Sequence, residues 1–70
     1  MKDIKTKFGQ KIKKIRTEKG LSQEQLASIC CLHRTYISDI ERGRRNVSIE
    51  NVGKIAHALK INPSELLNFN

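Results

Sequence analysis

Three stretches of this 70-residue chain carry the same signal for the start of a helix. In each, a Ser or Asn stands where its side chain accepts a hydrogen bond from the first turn, between two hydrophobic residues that contact each other across the start. The three signals are Leu21-Ser22-Gln25-Leu26, Val47-Ser48-Val52 and Ile61-Asn62-Pro63-Glu65-Leu66. Each signal marks the first turn of a helix, and the three lie close together along the chain. The sequence therefore predicts short helices in an all-α domain that occupies residues 1–70.

Hydrophobic spacing supplies the remaining helices. Ile4, Phe8, Ile12 and Ile15 follow one another at helical steps, and Gly20 then stops the helix. Between the first two start signals, a third helix places Ile37 and Ile40 towards the core, after a poor cap at His33. The fourth helix carries Ile49, Val52, Ile55, Ala56 and Leu59 on one face. The first, third, fourth and fifth predicted helices cover about 4–19, 34–42, 49–59 and 63–68, and the second begins after its cap at Ser22.

Residues 21–45 combine a capped helix, a tight turn, a second short helix and a basic exit loop. That is the order of parts in a helix-turn-helix, whose second helix enters the major groove of DNA. The second helix of this motif is the third predicted helix of the chain. Its side opposite the core carries Arg34, Thr35, Ser38 and Asp39. Such a polar side suits the edges of base pairs, so the sequence predicts a double-stranded DNA partner.

The charge of the chain is unevenly distributed. Fourteen Lys and Arg against seven Asp and Glu give +7 in total. Residues 1–20 hold eight basic against two acidic residues, residues 21–47 four against three, and residues 48–70 two against two. A basic front suits a polyanion and a neutral back is free for protein contact. The alternative is a solvated lysine surface that keeps a small protein soluble.

Four pieces of the sequence resemble one family. Arg16, LSQEQLA at 21–27, TYISDIERG at 35–43 and NPSELL at 62–67 resemble lambda-type phage repressors and their Xre-like bacterial relatives. The string HRTYISDIERGRRN at 33–46 is most similar to controller proteins of restriction–modification systems. The resemblance implies a five-helix lambda-repressor-like domain and a homodimer on an inverted-repeat operator. It also implies a regulator that controls its own gene and activates the endonuclease gene.

The resemblance also implies roles for single residues. Gln23 matches a phosphate-binding position, and Glu24 a candidate contact with RNA polymerase. Arg16 and Glu41 match an internal ion pair between the first and third helices. Arg34, Thr35 and Tyr36 match the recognition-helix residues that meet bases and the adjoining backbone. Arg45 and Asn46 match the exit loop that holds the DNA backbone. With the polar residues already described, the predicted DNA-binding set is Gln23, Arg34, Thr35, Tyr36, Ser38, Asp39, Arg42, Arg44, Arg45 and Asn46.

Two positions stay open. Asp39 is able to accept from a cytosine amino group, to repel phosphate, or to hold Arg34 or Arg42. Cys31 stands in the turn where the family usually has glycine. A left-handed cysteine there costs about 1 kcal/mol, or else the turn changes shape.

The C-terminal hydrophobic residues are candidates for a homodimer interface, with plain core as the alternative. They are Ile61, Leu66, Leu67 and Phe69. A symmetric dimer would place two recognition helices about 34 Å apart, one turn of DNA.

Other classes of function find less support. The N-terminus has no apolar targeting segment and no stretch is long enough to span a membrane, so we expect a cytoplasmic protein. Cys30, Cys31, His33 and His57 match no zinc spacing, and we expect neither a metal nor a cofactor. Glu41 and His33 lack a nucleophile beside them, so we expect no enzyme. The remaining rivals are a phage, plasmid or antitoxin-like repressor without activation and, more distantly, a module binding protein or anionic membrane through its lysine-rich first helix.

Overall fold

The computed structural model describes residues 3–69, which fold into five helices without a strand. They are α1 (Ile4–Glu18), α2 (Gln23–Cys30), α3 (Arg34–Glu41), α4 (Ile49–Leu59) and α5 (Pro63–Leu66). The predicted fold class is confirmed, and the starts fall at the predicted residues. Predicted ends at 19, 42 and 68 are slightly late, because each helix tightens into a turn there. Within residues 3–69, no helix has the length and hydrophobicity needed to cross a membrane.

The helix starts are held by the predicted side chains. Ser22 Oγ accepts from the Gln25 N–H at 3.0 Å, and Gln25 Oε1 accepts from the Ser22 N–H at 2.8 Å. Ser48 and Asn62 each accept one N–H from the first turn of the following helix. His33 makes no side-chain cap bond. These bonds satisfy amide groups that the helix itself leaves unpaired.

Four helices within residues 3–69 end with the same backbone turn. The residue in the left-handed conformation is Gly20, Cys31, Gly43 or Lys60, with φ of 72°, 58°, 74° and 59°. The next amide then donates to the carbonyl five residues earlier, the Schellman arrangement. Of the two alternatives at Cys31, the structure therefore has the strained left-handed conformation. Lys60 does so too, and nothing in the sequence marks that position.

An aliphatic core lies between the helices, as expected of a chain in which only 4% of the residues are aromatic. Its fully buried side chains are Ile12, Leu26, Ile37, Ile40, Ile55, Leu59 and Leu66. Ile4 and Ile49 were wrongly assigned to core-facing stripes, since 52% and 76% of their surfaces are exposed. Each is the first residue of its helix, where neighbouring turns cover a side chain from one direction only.

The first and third helices meet at a glycine. A methyl group added at Gly9 would overlap the carbonyl oxygen of Ile40. One at Gly43 would lie 2.8 Å from Thr6 Oγ1. Both the end of α3 and the loop that leaves it therefore rest directly on α1, which fixes the orientation of α3.

Candidate nucleic-acid interface

α3 presents a polar side to solvent, directly across from its buried residues. Ile37 and Ile40 are buried against the core, whereas Arg34 and Thr35 are exposed. Ser38 is partly buried one turn further along, and Arg42 is exposed just after the helix. The face that the sequence predicted as a base-reading surface is therefore accessible.

Beneath α3 lies a buried ionic group that we call the inner cluster, formed by Arg16, Glu41 and Gln23. Arg16 Nε and Nη2 donate to the two Glu41 carboxylate oxygens at 2.6 and 3.1 Å. Arg16 Nη1 donates to the Leu21 carbonyl at 2.7 Å. The two charged side chains are only 9% and 3% exposed. The predicted ion pair is thus confirmed, and its two-pronged geometry ties α1 to α3.

Gln23 belongs to this cluster as well. Its Nε2 donates to Glu41 Oε1 at 3.0 Å, so the first residue of α2 is bound to the last residue of α3. The side chain predicted to contact phosphate therefore also has a structural partner. An amide nitrogen carries two hydrogens, so one remains for a phosphate oxygen.

A second group, the outer cluster, lies at the edge of α3 and contains Tyr36, Asp39, Arg45 and Asn51. Arg45 Nε lies 3.5 Å from Asp39 Oδ2. The Arg45 guanidinium carbon lies 5.2 Å from the centre of the Tyr36 ring, within cation–π range. Asn51 Nδ2 donates to Tyr36 Oη at 3.1 Å. The cluster joins α3, its exit loop and the start of α4.

The outer cluster changes the interpretation of two residues. Asp39 pairs with Arg45. One of the alternatives from the sequence had been a pair with Arg34 or Arg42. Arg45 is the partner because the turn at Gly43 brings the loop back beside Asp39. Asn51 was missed, because an Asn in the first turn of a helix carries no sign of a partner fifteen residues earlier.

The basic residues fall into two separate regions. Arg34, Arg42, Arg44 and Arg45 are exposed on α3 and its exit loop, with the neutral Asn46 exposed beside them. By contrast, the lysines at 7, 11 and 14 border a groove with Asn68 and Phe69. Part of the basic charge of α1 therefore lies beside the C-terminal end of the chain rather than beside α3.

The predicted dimer residues differ in accessibility. Leu66 is 0% exposed and belongs to the core, so it has no surface to offer a partner and that assignment was wrong. Ile61 and Phe69 are partly buried against the core. Leu67 is 47% exposed and lines a cleft with Ile4, and Lys5 and Arg45 border the same cleft. Of the predicted dimer residues, Leu67 is therefore the most accessible.

The cysteines lie in different surroundings. Cys30 is buried, and its Sγ lies 3.8 Å from the Lys54 carbonyl oxygen. Burial raises the pKa of the Cys30 thiol, with a smaller contribution from Cys31. Cys30 is therefore a small core residue, as predicted, and Cys31 is an exposed turn residue.

The α2–turn–α3 unit, with its exposed polar side and basic exit loop, defines a DNA-binding regulator of the helix-turn-helix class. Residues 12–66 match the helix-turn-helix family model, and the chain belongs to this family.

Control proteins are among its relatives. Control protein C.BamHI of Bacillus amyloliquefaciens is 57% identical over 68 residues, covering 96% of this chain and 84% of that protein. Control protein C.MunI of a Mycoplasma species is 55% identical over 67 residues, covering 94% and 90%. The crystal structure of the restriction–modification controller protein C.AhdI from Aeromonas hydrophila superposes with a TM-score of 0.87 at 53% identity, covering 89% of this chain and 94% of that one.

Proposed function

We propose that this protein is a controller-type transcription regulator that binds an inverted-repeat operator as a homodimer in the cytoplasm. The observation that carries the proposal is the exposed polar side of α3, held from below by the inner cluster and bordered by the basic exit loop. A rigid helix with accessible polar groups meets the geometric need of major-groove reading. The similarity to control proteins supports the controller assignment.

Bases are read from α3. Arg34 is exposed at its first turn, where its guanidinium donates to O6 and N7 of a guanine, worth about 1–3 kcal/mol of discrimination. Thr35 offers a methyl group to thymine or a hydroxyl to a base edge. Ser38 and Arg42 extend the same surface by one turn. Tyr36, at the rim, contacts sugar and phosphate.

Phosphates are held on either side of α3. Arg44, Arg45 and Asn46 are exposed in the exit loop and supply attraction that does not depend on sequence. Gln23 contributes its remaining N–H at the start of α2. Free backbone amides at the starts of α2 and α3 favour the same negatively charged ligands.

A second copy of the chain completes the reading unit. Leu67 and Ile4 give an exposed apolar surface, and Ile61 and Phe69 are partly accessible. Pairing of two copies about a twofold axis would match two half-sites separated by about 34 Å of DNA.

Regulation follows from where the dimer binds. We propose that it autoregulates its own gene and activates the endonuclease gene according to occupancy. A high-affinity site upstream of the promoter gives activation, and a second site that overlaps the promoter gives repression at high concentration. Glu24 is exposed at the start of α2 and is the proposed contact with RNA polymerase. A repressor without activation is the second candidate.

Glu24→Ala separates these candidates. We expect operator affinity to stay within about twofold, because Glu24 is exposed on α2 and is not one of the proposed DNA-binding residues, while activated transcription falls in a reporter assay. Gln25→Ala, at the neighbouring exposed position, removes the capping bond and serves as a control for loss of helix stability. Unchanged transcription with Glu24→Ala would favour the repressor.

The test of the proposed function is fluorescence anisotropy on two duplexes at physiological salt. One carries the DNA upstream of the protein's own gene and the other has the same length and base composition in random order. We expect upstream binding at least about a thousandfold tighter. Equal binding to both duplexes would contradict the proposal.

A further inference from the structure

Asp39 holds the exit loop in two independent ways. Its backbone carbonyl accepts the Arg44 N–H at 2.9 Å, and its carboxylate lies 3.5 Å from Arg45 Nε. Any residue at position 39 would keep the backbone bond. Only an acidic side chain supplies the ionic contact, so the carboxylate has an effect on Arg45 that is separable from the shape of the loop.

The contact leaves most of the guanidinium available. An arginine has five N–H donors, and only one of them is on Nε. The four donors on the terminal nitrogens remain free to bind a phosphate while Asp39 keeps the Nε edge. The Arg45 side chain is 50% exposed, so that end is accessible.

The Tyr36 ring restricts the same cation from a second direction. The guanidinium carbon lies 5.2 Å from the ring centre, and Asn51 fixes the phenol through its hydroxyl. A free arginine on a loop loses side-chain freedom when it binds a ligand, which reduces affinity. Arg45 has lost part of that freedom before the ligand arrives.

We propose that Asp39 is a positioning residue that orients Arg45 for a backbone phosphate of DNA, and that it does so without contacting DNA bases. This rests on the proposed function, because it takes DNA as the ligand of Arg45. Asp39 thereby increases the contribution of Arg45 to binding, even though its own charge repels phosphate.

A double-mutant cycle on DNA affinity tests this, because it cancels the direct repulsion by Asp39. We expect Arg45→Gln to weaken binding to the random duplex about tenfold in the otherwise unchanged protein, but only about threefold in Asp39→Ala. Glu18→Ala removes an exposed carboxylate at the end of α1 and raises the net charge equally; in that background the loss should remain about tenfold. Equal losses with and without Asp39, or a larger loss without it, would overturn the proposal.

Nuclear magnetic resonance relaxation of Arg45 Nε measures directly how far the side chain is restricted. The order parameter of Arg45 Nε should be high in the free protein and should fall in Asp39→Ala but not in Glu18→Ala. An order parameter that is the same with and without Asp39 would show that Asp39 does not position Arg45, which overturns the proposal. Equal binding to both duplexes would reject only the proposed operator function, since the cycle uses random DNA; no binding to either would reject both.

Discussion

The inner and outer clusters each pair an arginine with a carboxylate of α3, but they differ in burial. Arg16 and Glu41 lie 2.6 Å apart with side chains 9% and 3% exposed. Arg45 and Asp39 lie 3.5 Å apart with side chains 50% and 26% exposed. The buried pair has no access to a ligand and fixes the position of α3. The exposed pair contributes little to stability and leaves its cation available to DNA.

The largest expected effect comes from breaking the inner cluster. Arg16→Met leaves the Glu41 carboxylate buried with Gln23 alone, which should reduce the free energy of unfolding by about 3–5 kcal/mol. Urea denaturation followed by circular dichroism measures it. Asp39→Ala is the matched change in the outer cluster and should stay within about 0.5 kcal/mol.

A second variant tests whether the loss of stability comes from leaving one buried charge unpaired. Arg16→Met combined with Glu41→Leu removes both charges and should recover part of the lost stability, because no charge is then left unpaired. A loss below about 1 kcal/mol in Arg16→Met alone would contradict the role given to the inner cluster.

The next effect concerns base reading. Arg34→Ala should reduce operator affinity by about 1–3 kcal/mol and relax the preference at one base pair, since a bidentate contact is lost. Anisotropy against operators carrying single substitutions measures both. Arg34→Lys keeps the charge but loses the two-pronged geometry, so a full rescue by lysine would contradict base reading.

Arg45→Gln gives the contrasting result for a phosphate contact. It should weaken binding to operator and to random DNA alike by about tenfold. The slope of log affinity against log salt should become less steep by about 1. Titrations at four salt concentrations give the slope. A loss confined to the operator would show instead that Arg45 reads a base.

The contacts within the molecule differ in how well the sequence predicts them. The caps at Ser22 and Ser48 were predictable because a cap bond joins residues close in the chain. The pair of Arg16 and Glu41 lies 25 residues apart, and the family resemblance rather than any spacing pointed to it. The outer cluster was not predictable, because it depends on the path of the loop after Gly43.

The C-terminal region shows the same limit. α5 spans only Pro63–Leu66, which is one turn and too short to display a hydrophobic period. The sequence therefore could not separate buried Leu66 from exposed Leu67. Positions at helix starts, such as Ile49, fail for a related reason: periodicity says which side a residue occupies, but not whether a neighbour covers it.

The smallest expected effect lies in the turn that joins α2 to α3, the helix that carries both carboxylates. Cys31 has φ of 58°, and a non-glycine residue in this conformation costs about 1–2 kcal/mol. Glycine removes that strain but gives the unfolded chain about 0.5–1 kcal/mol more conformational entropy to lose. Cys31→Gly should therefore raise the free energy of unfolding by about 0.5 kcal/mol and leave operator affinity unchanged. Urea denaturation and anisotropy measure the two quantities.

Lys60→Gly, at φ of 59° and outside the helix-turn-helix, is the matched control and should give a similar gain. If Cys31→Gly altered affinity while Lys60→Gly did not, the turn itself would be setting the angle between α2 and α3, and stability and DNA contact would no longer be separable there.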